Sequence, residues 1–96
     1  MAHDQKVEHL IVEQSFAAPL SDEQHTALAR RLDDCLAQHG ARWLRSYIST
    51  DHRRAVCEFE APDAESVRVS YRSAGLEFDR VWTAEVYSLE IAQPAT

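Results

Sequence analysis

Residues 42–60, RWLRSYISTDHRRAVCEFE, contain two short segments rich in aromatic and β-branched side chains, separated by a polar turn. Such side chains are typical of β-strands. The connection between the segments is too short for a crossover, so the two strands must run antiparallel. The stretch therefore predicts a β-hairpin in the middle of the chain, with its strands over 42–50 and 55–60.

The sequence predicts one helix on each side of this hairpin. Before the hairpin, Ser21 and Gln24 have the spacing of a capping box, which indicates the start of a helix over 22–39. After the hairpin, Asp63 is suited to be the N-cap of a second helix, which Gly75 ends. Both helices have an apolar stripe at helical spacing, so each is expected to pack one side against a sheet.

The outermost segments predict two further strands, over 7–16 and 81–91. The resulting order, β-α-β-β-α-β, with right-handed crossovers places both helices on one face of a four-stranded antiparallel sheet. This is a ferredoxin-like α+β fold. The length predicts a single domain over 1–96, with an ordered core over about 7–91.

No helix remains to cover the second face of the predicted sheet. Strand alternation, with the more apolar parity placed under the helices, assigns the side chains to faces. The expected covered set is Leu10, Val12, Leu44, Ile48, Cys57, Phe59, Ala84 and Val86. The expected open set is His9, Ile11, Glu13, Trp43, Arg45, Tyr47, Val56, Glu58, Glu60, Thr83, Glu85 and Tyr87. A β-bulge would exchange the faces beyond it.

An open face that displays several aromatic side chains is unusual in water, so a second copy of the chain is expected to cover it. The two sheets would then face each other in a dimeric α+β barrel. The cavity between them would be lined by Trp43, Ile11, Glu85 and Tyr87. Two interpretations stay open: a plain interface in which Arg45 pairs with a glutamate, and an interface that also encloses a ligand pocket.

The composition excludes several classes of function. The net charge of −6 argues against nucleic-acid and anionic-membrane binding, which need a basic face. No apolar run is long enough to span a membrane, and the N-terminus lacks a signal pattern, so a cytoplasmic protein is expected. Two cysteines do not form a disulfide framework, and two glycines leave no phosphate-binding loop.

Several motifs resemble a family of small bacterial ferredoxin-like proteins, largely of unknown function, with members described as nickel-binding. The more specific ones are Trp43-Leu44-Arg45-Ser46-Tyr47 and Cys57-Glu58-Phe59-Glu60-Ala61-Pro62. The weaker ones are Leu10-Ile11-Val12-Glu13, Leu20-Ser21-Asp22-Glu23, Ala74-Gly75 and Asp79-Arg80-Val81. The resemblance implies a dimeric domain that binds nickel or another divalent metal.

Two positions depart from this family, because relatives often have His where this chain has Arg45 and Ser70. Arginine is not an ordinary metal ligand. His9, with Glu13 and Glu58, could supply imidazole and carboxylate ligands instead. His39, four residues after Cys35 on one helix face, is a further candidate ligand, although a histidine there can also favour the helix C-terminus as a cation.

The residues also allow an enzyme without a bound cofactor, acting by acid–base chemistry in the manner of an isomerase or cyclase. Arg45 would orient an anionic or carbonyl compound, and Tyr47 would donate a hydrogen bond. The general base would be Glu13, Glu58 or His9. A cation such as Arg45 attracts an anion and repels a metal, which separates this hypothesis from the first. A dimeric structural or regulatory module without ligand chemistry is the third hypothesis.

Overall fold

The computed structural model describes residues 7–89 and confirms the predicted ferredoxin-like order of elements. The elements are β1 (Glu8–Ser15), α1 (Asp22–Gln38), β2 (Arg42–Ile48), β3 (Arg54–Ala61), α2 (Ala64–Ser73) and β4 (Arg80–Ala84). The last strand ends earlier than predicted. The expected continuation to residue 91 includes residues 85–89, which lie outside any strand, and residues 90 and 91, which lie outside the described part of the chain.

Both helices begin as the sequence predicts. The Gln24 amide donates to Ser21 Oγ (3.1 Å) and the Ser21 amide donates to Gln24 Oε1 (2.8 Å), which completes a capping box. The Ser66 amide donates to Asp63 Oδ1 at the start of α2 (2.8 Å). This hydrogen bonding lowers the pKa of Asp63, since it favours the ionised carboxylate. Within residues 7–89, no helix is long and apolar enough to cross a membrane.

The four strands pair antiparallel in the order β2-β3-β1-β4. Both helices contribute to one core with a single face of this sheet. Its most buried side chains are Leu10, Val12, Leu36, Phe59, Val67 and Tyr71. Tyr71 packs edge-on against Phe59, with ring centroids 6.0 Å apart. The opposite side of the sheet, called the open face below, has no helix against it among the described residues.

A β-bulge in β2 makes the prediction for Trp43 wrong. Trp43 pairs with Phe59 of β3, whereas Arg45 pairs with Glu58, so one extra residue lies between the two pairs. Directly paired residues share a face of the sheet. Trp43 therefore lies on the covered side with Phe59, and Arg45 stays on the open face. The extra residue is Leu44, for which alternation does not define a face.

The predicted faces of β4 are also exchanged. Thr83 pairs with the buried Leu10, and Ala84 pairs with His9, so Thr83 is on the covered side and Ala84 on the open face. By the same pairing, Trp82 lies opposite Ile11 and belongs to the open face. Residues 81–84 of β4 carry no charged side chain. Alternation alone therefore does not show which side chains of β4 face the helices. The register of β4 with β1 shows it.

Candidate functional site

The open face brings together side chains from all four strands, and it is the candidate functional site. Its members, inferred from strand pairing, are His9, Ile11, Glu13, Arg42, Arg45, Tyr47, Val56, Glu58, Glu60, Arg80, Trp82 and Ala84. The two inner strands supply histidine and glutamates, and the two outer strands supply arginines and large aromatic side chains. The carboxylates thus lie centrally, with cations at the sides.

Glu58 is the centre of a three-residue cluster. His9 Nε2 lies 3.0 Å from Glu58 Oε2, and since a carboxylate only accepts, the His9 ring donates this hydrogen bond. The other carboxylate oxygen, Oε1, lies 2.8 Å from Arg45 Nε as an ion pair, although the direction of the N–H group does not suit a hydrogen bond. The side chains of His9 and Glu58 are 17% and 13% exposed, whereas Arg45 is 62% exposed. The carboxylate is therefore held at the sheet while the guanidinium reaches solvent.

Glu13 is held by two partners from β4. Trp82 Nε1 donates to Glu13 Oε2 (2.8 Å), and Arg80 Nη2 donates to Glu13 Oε1 (3.2 Å). Both carboxylate oxygens are thus in use. Neither donor was among the residues predicted for the site, because the expected orientation of β4 placed Thr83, Glu85 and Tyr87 on this face.

Apolar and aromatic surface surrounds these charged groups. Ile11, in the middle of the face, is only 8% exposed, whereas Trp82 and Tyr47 are 46% and 57% exposed. Next to them, Arg42 Nη2 donates to Glu60 Oε1 at the outer end of the hairpin. The open face therefore combines paired charges with large apolar groups, which is the composition of many protein–protein interfaces.

Six of the predicted site residues share the open face, namely His9, Ile11, Glu13, Arg45, Tyr47 and Glu58. The others lie elsewhere. Trp43 is on the covered side, His39 is the C-cap of α1, and Glu85 and Tyr87 follow the end of β4. The Tyr87 hydroxyl donates to Glu85 Oε1 (3.2 Å), and 80% of Tyr87 is exposed. The catalytic, ligand-binding and metal-binding roles of all these residues stay predictions.

A single copy of the chain does not provide a complete metal site in its described part. Residues 7–89 contain no group of three or more His, Cys, Asp or Glu side chains placed to hold one ion. His9 and Glu58 offer two donors side by side, and Arg45 competes for the second of them. Glu13 is occupied by Arg80 and Trp82. Among residues 7–89 of one copy, His9 and Glu58 are therefore the two predicted ligands that lie side by side.

Comparison with known proteins identifies a family, and the solved structures with the same fold include one from Streptomyces coelicolor A3(2). The model of a family described as "Nickel responsive protein SCO4226-like" matches residues 10–83, which is well over half of the chain. The crystal structure of SCO4226 from Streptomyces coelicolor A3(2) is similar, with a TM-score of 0.76 and 14% sequence identity. That likeness covers 83% of this chain and 99% of the other, and at this identity it shows a shared fold. A search of curated proteins found no match.

Proposed function

The chain belongs to the SCO4226-like family of nickel-responsive proteins, and we propose that it is a cytoplasmic homodimer that binds nickel between two open faces. The observation that carries this proposal is the pair formed by His9 and Glu58, 3.0 Å apart on a face that no helix covers. His9 Nε2 donates to Glu58 in this structure, so the pair supplies one nitrogen and one oxygen donor once the imidazole proton moves to Nδ1. Imidazole and carboxylate ligands suit divalent nickel.

The composition of the open face supports association with a second copy. Trp82 and Tyr47 leave large aromatic surface exposed on either side of the nearly buried Ile11. Aromatic side chains and arginine are enriched in protein interfaces. A two-fold axis would bring the same face of both copies together, so each residue would meet its counterparts in the partner.

Dimerisation would also complete the donor set that one copy lacks. Two copies related by such an axis contribute two His9 imidazoles and two Glu58 carboxylates. The proposal therefore makes nickel binding and dimerisation depend on each other. Because an ion that bridges two copies binds the dimer and not the monomer, nickel is expected to shift the association equilibrium toward the dimer.

Arg45 opposes the metal in this arrangement. Its guanidinium lies 2.8 Å from Glu58 Oε1 and repels a divalent cation nearby. We therefore expect weaker nickel binding than a site of the same donors without an arginine would show. Removal of Arg45 should therefore strengthen nickel binding, although it also removes the ion pair with Glu58.

Calorimetric titration of tag-free protein with Ni²⁺ tests the metal site. The wild-type chain should show saturable binding, His9→Ala should lose it, and Arg45→Ala should bind several-fold more tightly. His39→Ala is the matched control, since it removes an imidazole from the end of α1 and should leave the titration unchanged. Equal titrations for the wild-type chain and His9→Ala would contradict His9 as a ligand. Loss of nickel binding in His39→Ala would show that the site lies at the C-terminal end of α1 instead.

Light scattering tests the dimer with and without Ni²⁺. Tyr47→Lys places a cation on each open face, so the two copies should repel each other and the protein should become monomeric. Glu23→Lys is the control, because Glu23 lies exposed on the first turn of α1, away from the sheet. A wild-type protein that stays monomeric at micromolar concentration with excess Ni²⁺ would rule out a bridged dimer.

The acid–base enzyme is a second candidate function, favoured by the orientation of His9. The carboxylate of Glu58 fixes the ring, as an acidic residue does for a catalytic base. Arg45 and Tyr47 extend into solvent beside this pair, where they could hold an anionic carbonyl compound. Titration with pyruvate, followed by NMR, separates the two functions, because Arg45→Ala should abolish pyruvate binding but strengthen nickel binding.

A further inference from the structure

Every glutamate of the open face already has an arginine partner. The three ion pairs, with their N–O distances, are Glu13–Arg80 (3.2 Å), Glu58–Arg45 (2.8 Å) and Glu60–Arg42 (2.6 Å). Because the two charges of each pair cancel, these glutamates offer no excess negative charge to a cation. Two copies that meet through this face contribute the same pairs twice. A bare nickel ion would therefore bring two positive charges that the paired glutamates do not compensate, and an uncompensated charge is costly where water is excluded.

Arg45 is the arginine that a metal at His9 and Glu58 would displace. Its Nε atom lies 2.8 Å from Glu58 Oε1, an oxygen that is buried and accepts no hydrogen bond. A metal ion can reach this oxygen only when the guanidinium moves aside. The Arg45 side chain is 62% exposed, so this movement requires no opening of the core. Nickel binding thus leaves a guanidinium beside the metal without its carboxylate.

The displaced guanidinium and the metal favour the same kind of ligand. A guanidinium binds a carboxylate through two parallel hydrogen bonds, and carboxylate oxygens are also ligands of divalent metals. A molecule with two carboxylates can therefore contact the metal and Arg45 at the same time. Its two negative charges cancel the two positive charges that nickel brings to the face.

We propose that the open face takes nickel together with a small dicarboxylate, which Arg45 holds. This inference rests on the proposed function, since it concerns the same nickel site. It gives Arg45 two opposite effects. The guanidinium repels the bare ion, and it attracts the complex of the ion with a dianion.

Malonate, a small dicarboxylate, is the probe, and malonamide, its uncharged diamide, is the control compound. Calorimetric titration of the full chain with Ni²⁺, at matched ionic strength, should give an apparent Kd several-fold lower in excess malonate than in malonamide. Malonate also binds Ni²⁺ in solution, which by itself raises the apparent Kd, so a decrease requires malonate to bind together with the metal. An apparent Kd that malonate raises or leaves unchanged overturns the co-ligand and leaves the nickel site standing. Absence of Ni²⁺ binding in both solutions contradicts the nickel site as well.

Two arginine variants test the role of Arg45. Arg45→Ala should bind Ni²⁺ alone more tightly than the wild-type chain, and malonate should raise its apparent Kd, because only competition in solution remains. Arg72→Ala is the matched control. Arg72 is 61% exposed and ion-paired, as Arg45 is, but it lies in the last turn of α2, on the other side of the sheet. This control should keep the decrease in apparent Kd. An equal decrease in Arg45→Ala, or its loss in Arg72→Ala, would overturn the assignment of the dicarboxylate to Arg45.

Discussion

The two faces of the sheet are stabilised by different means, although they are built from the same strands. On β1, Leu10 and Val12 are 0% exposed under the helices, whereas their neighbours His9 and Glu13 form charged hydrogen bonds on the open face. Burial of apolar side chains is worth several kcal/mol each, and a partly exposed ion pair is worth about 1 kcal/mol or less. The covered side therefore carries most of the stability. The open face is left with residues that can change without unfolding the chain, as a functional surface requires.

The largest expected effect is the loss of a core ring from β3. Phe59 is 0% exposed and packs edge-on against Tyr71. Phe59→Ala should lower the free energy of unfolding by about 3–5 kcal/mol, because it removes buried surface and leaves a cavity. Val56→Ala, on the open side of the same strand, should cost about 1 kcal/mol. Urea unfolding at one fixed protein concentration measures both, and equal losses would contradict the difference between the faces.

Local sequence signals predicted the helices and the hairpin because each signal acts within a few residues. The capping box of Ser21 and Gln24 and the N-cap Asp63 need only a single turn of chain to form. With two further strands, these elements give the chain order β-α-β-β-α-β. The rule for crossovers then places both helices on one face of the sheet. The open face was likewise predicted for β1 and β3, which pair in continuous register without a bulge, so alternation from one residue to the next holds along both strands.

The orientation of the edge strands depends on pairing that the sequence does not display. Leu44 is the extra residue of the β2 bulge, and no glycine or proline marks it. Val81, Trp82 and Thr83 could each face a core or an interface, so only the register of β4 with β1 decides among them. For this reason Trp82 was missed as a partner of Glu13, and Arg80 was missed because the predicted strand begins one residue after it. Because no local signal marks the bulge at Leu44, the predicted face of Trp43 was wrong.

An intermediate effect is expected for the central carboxylate of the open face. Glu58→Ala removes the partner of His9 and of Arg45 and should lower the free energy of unfolding by about 1.5–3 kcal/mol, since hydrogen bonds to charged groups are the stronger ones. Glu60→Ala is the matched control. Glu60 is 38% exposed and pairs with a 72% exposed Arg42, so its loss should cost less than about 1 kcal/mol. The urea concentrations at the unfolding midpoint distinguish the two variants. A larger loss of stability in Glu60→Ala than in Glu58→Ala would mean that burial does not set the strength of the ion pairs.

The smallest effect concerns alkaline pH, to which two groups of the covered side should respond. Burial raises the pKa of the Cys57 thiol above its ordinary value of 9.0 and the pKa of the Tyr71 hydroxyl above its ordinary 10.0. The folded chain thus keeps protons that the unfolded chain releases. Stability is complete below pH 9.0 and falls as the pH rises, by at most about 1.4 kcal/mol per pH unit for each group.

Urea midpoints at about pH 8 and about pH 10.5 measure this loss. Tyr71→Phe should reduce it, because phenylalanine has no proton to release. A loss that stays the same in Tyr71→Phe would mean that the hydroxyl ionises as readily in the folded chain as in the unfolded chain, which would contradict its burial in the core.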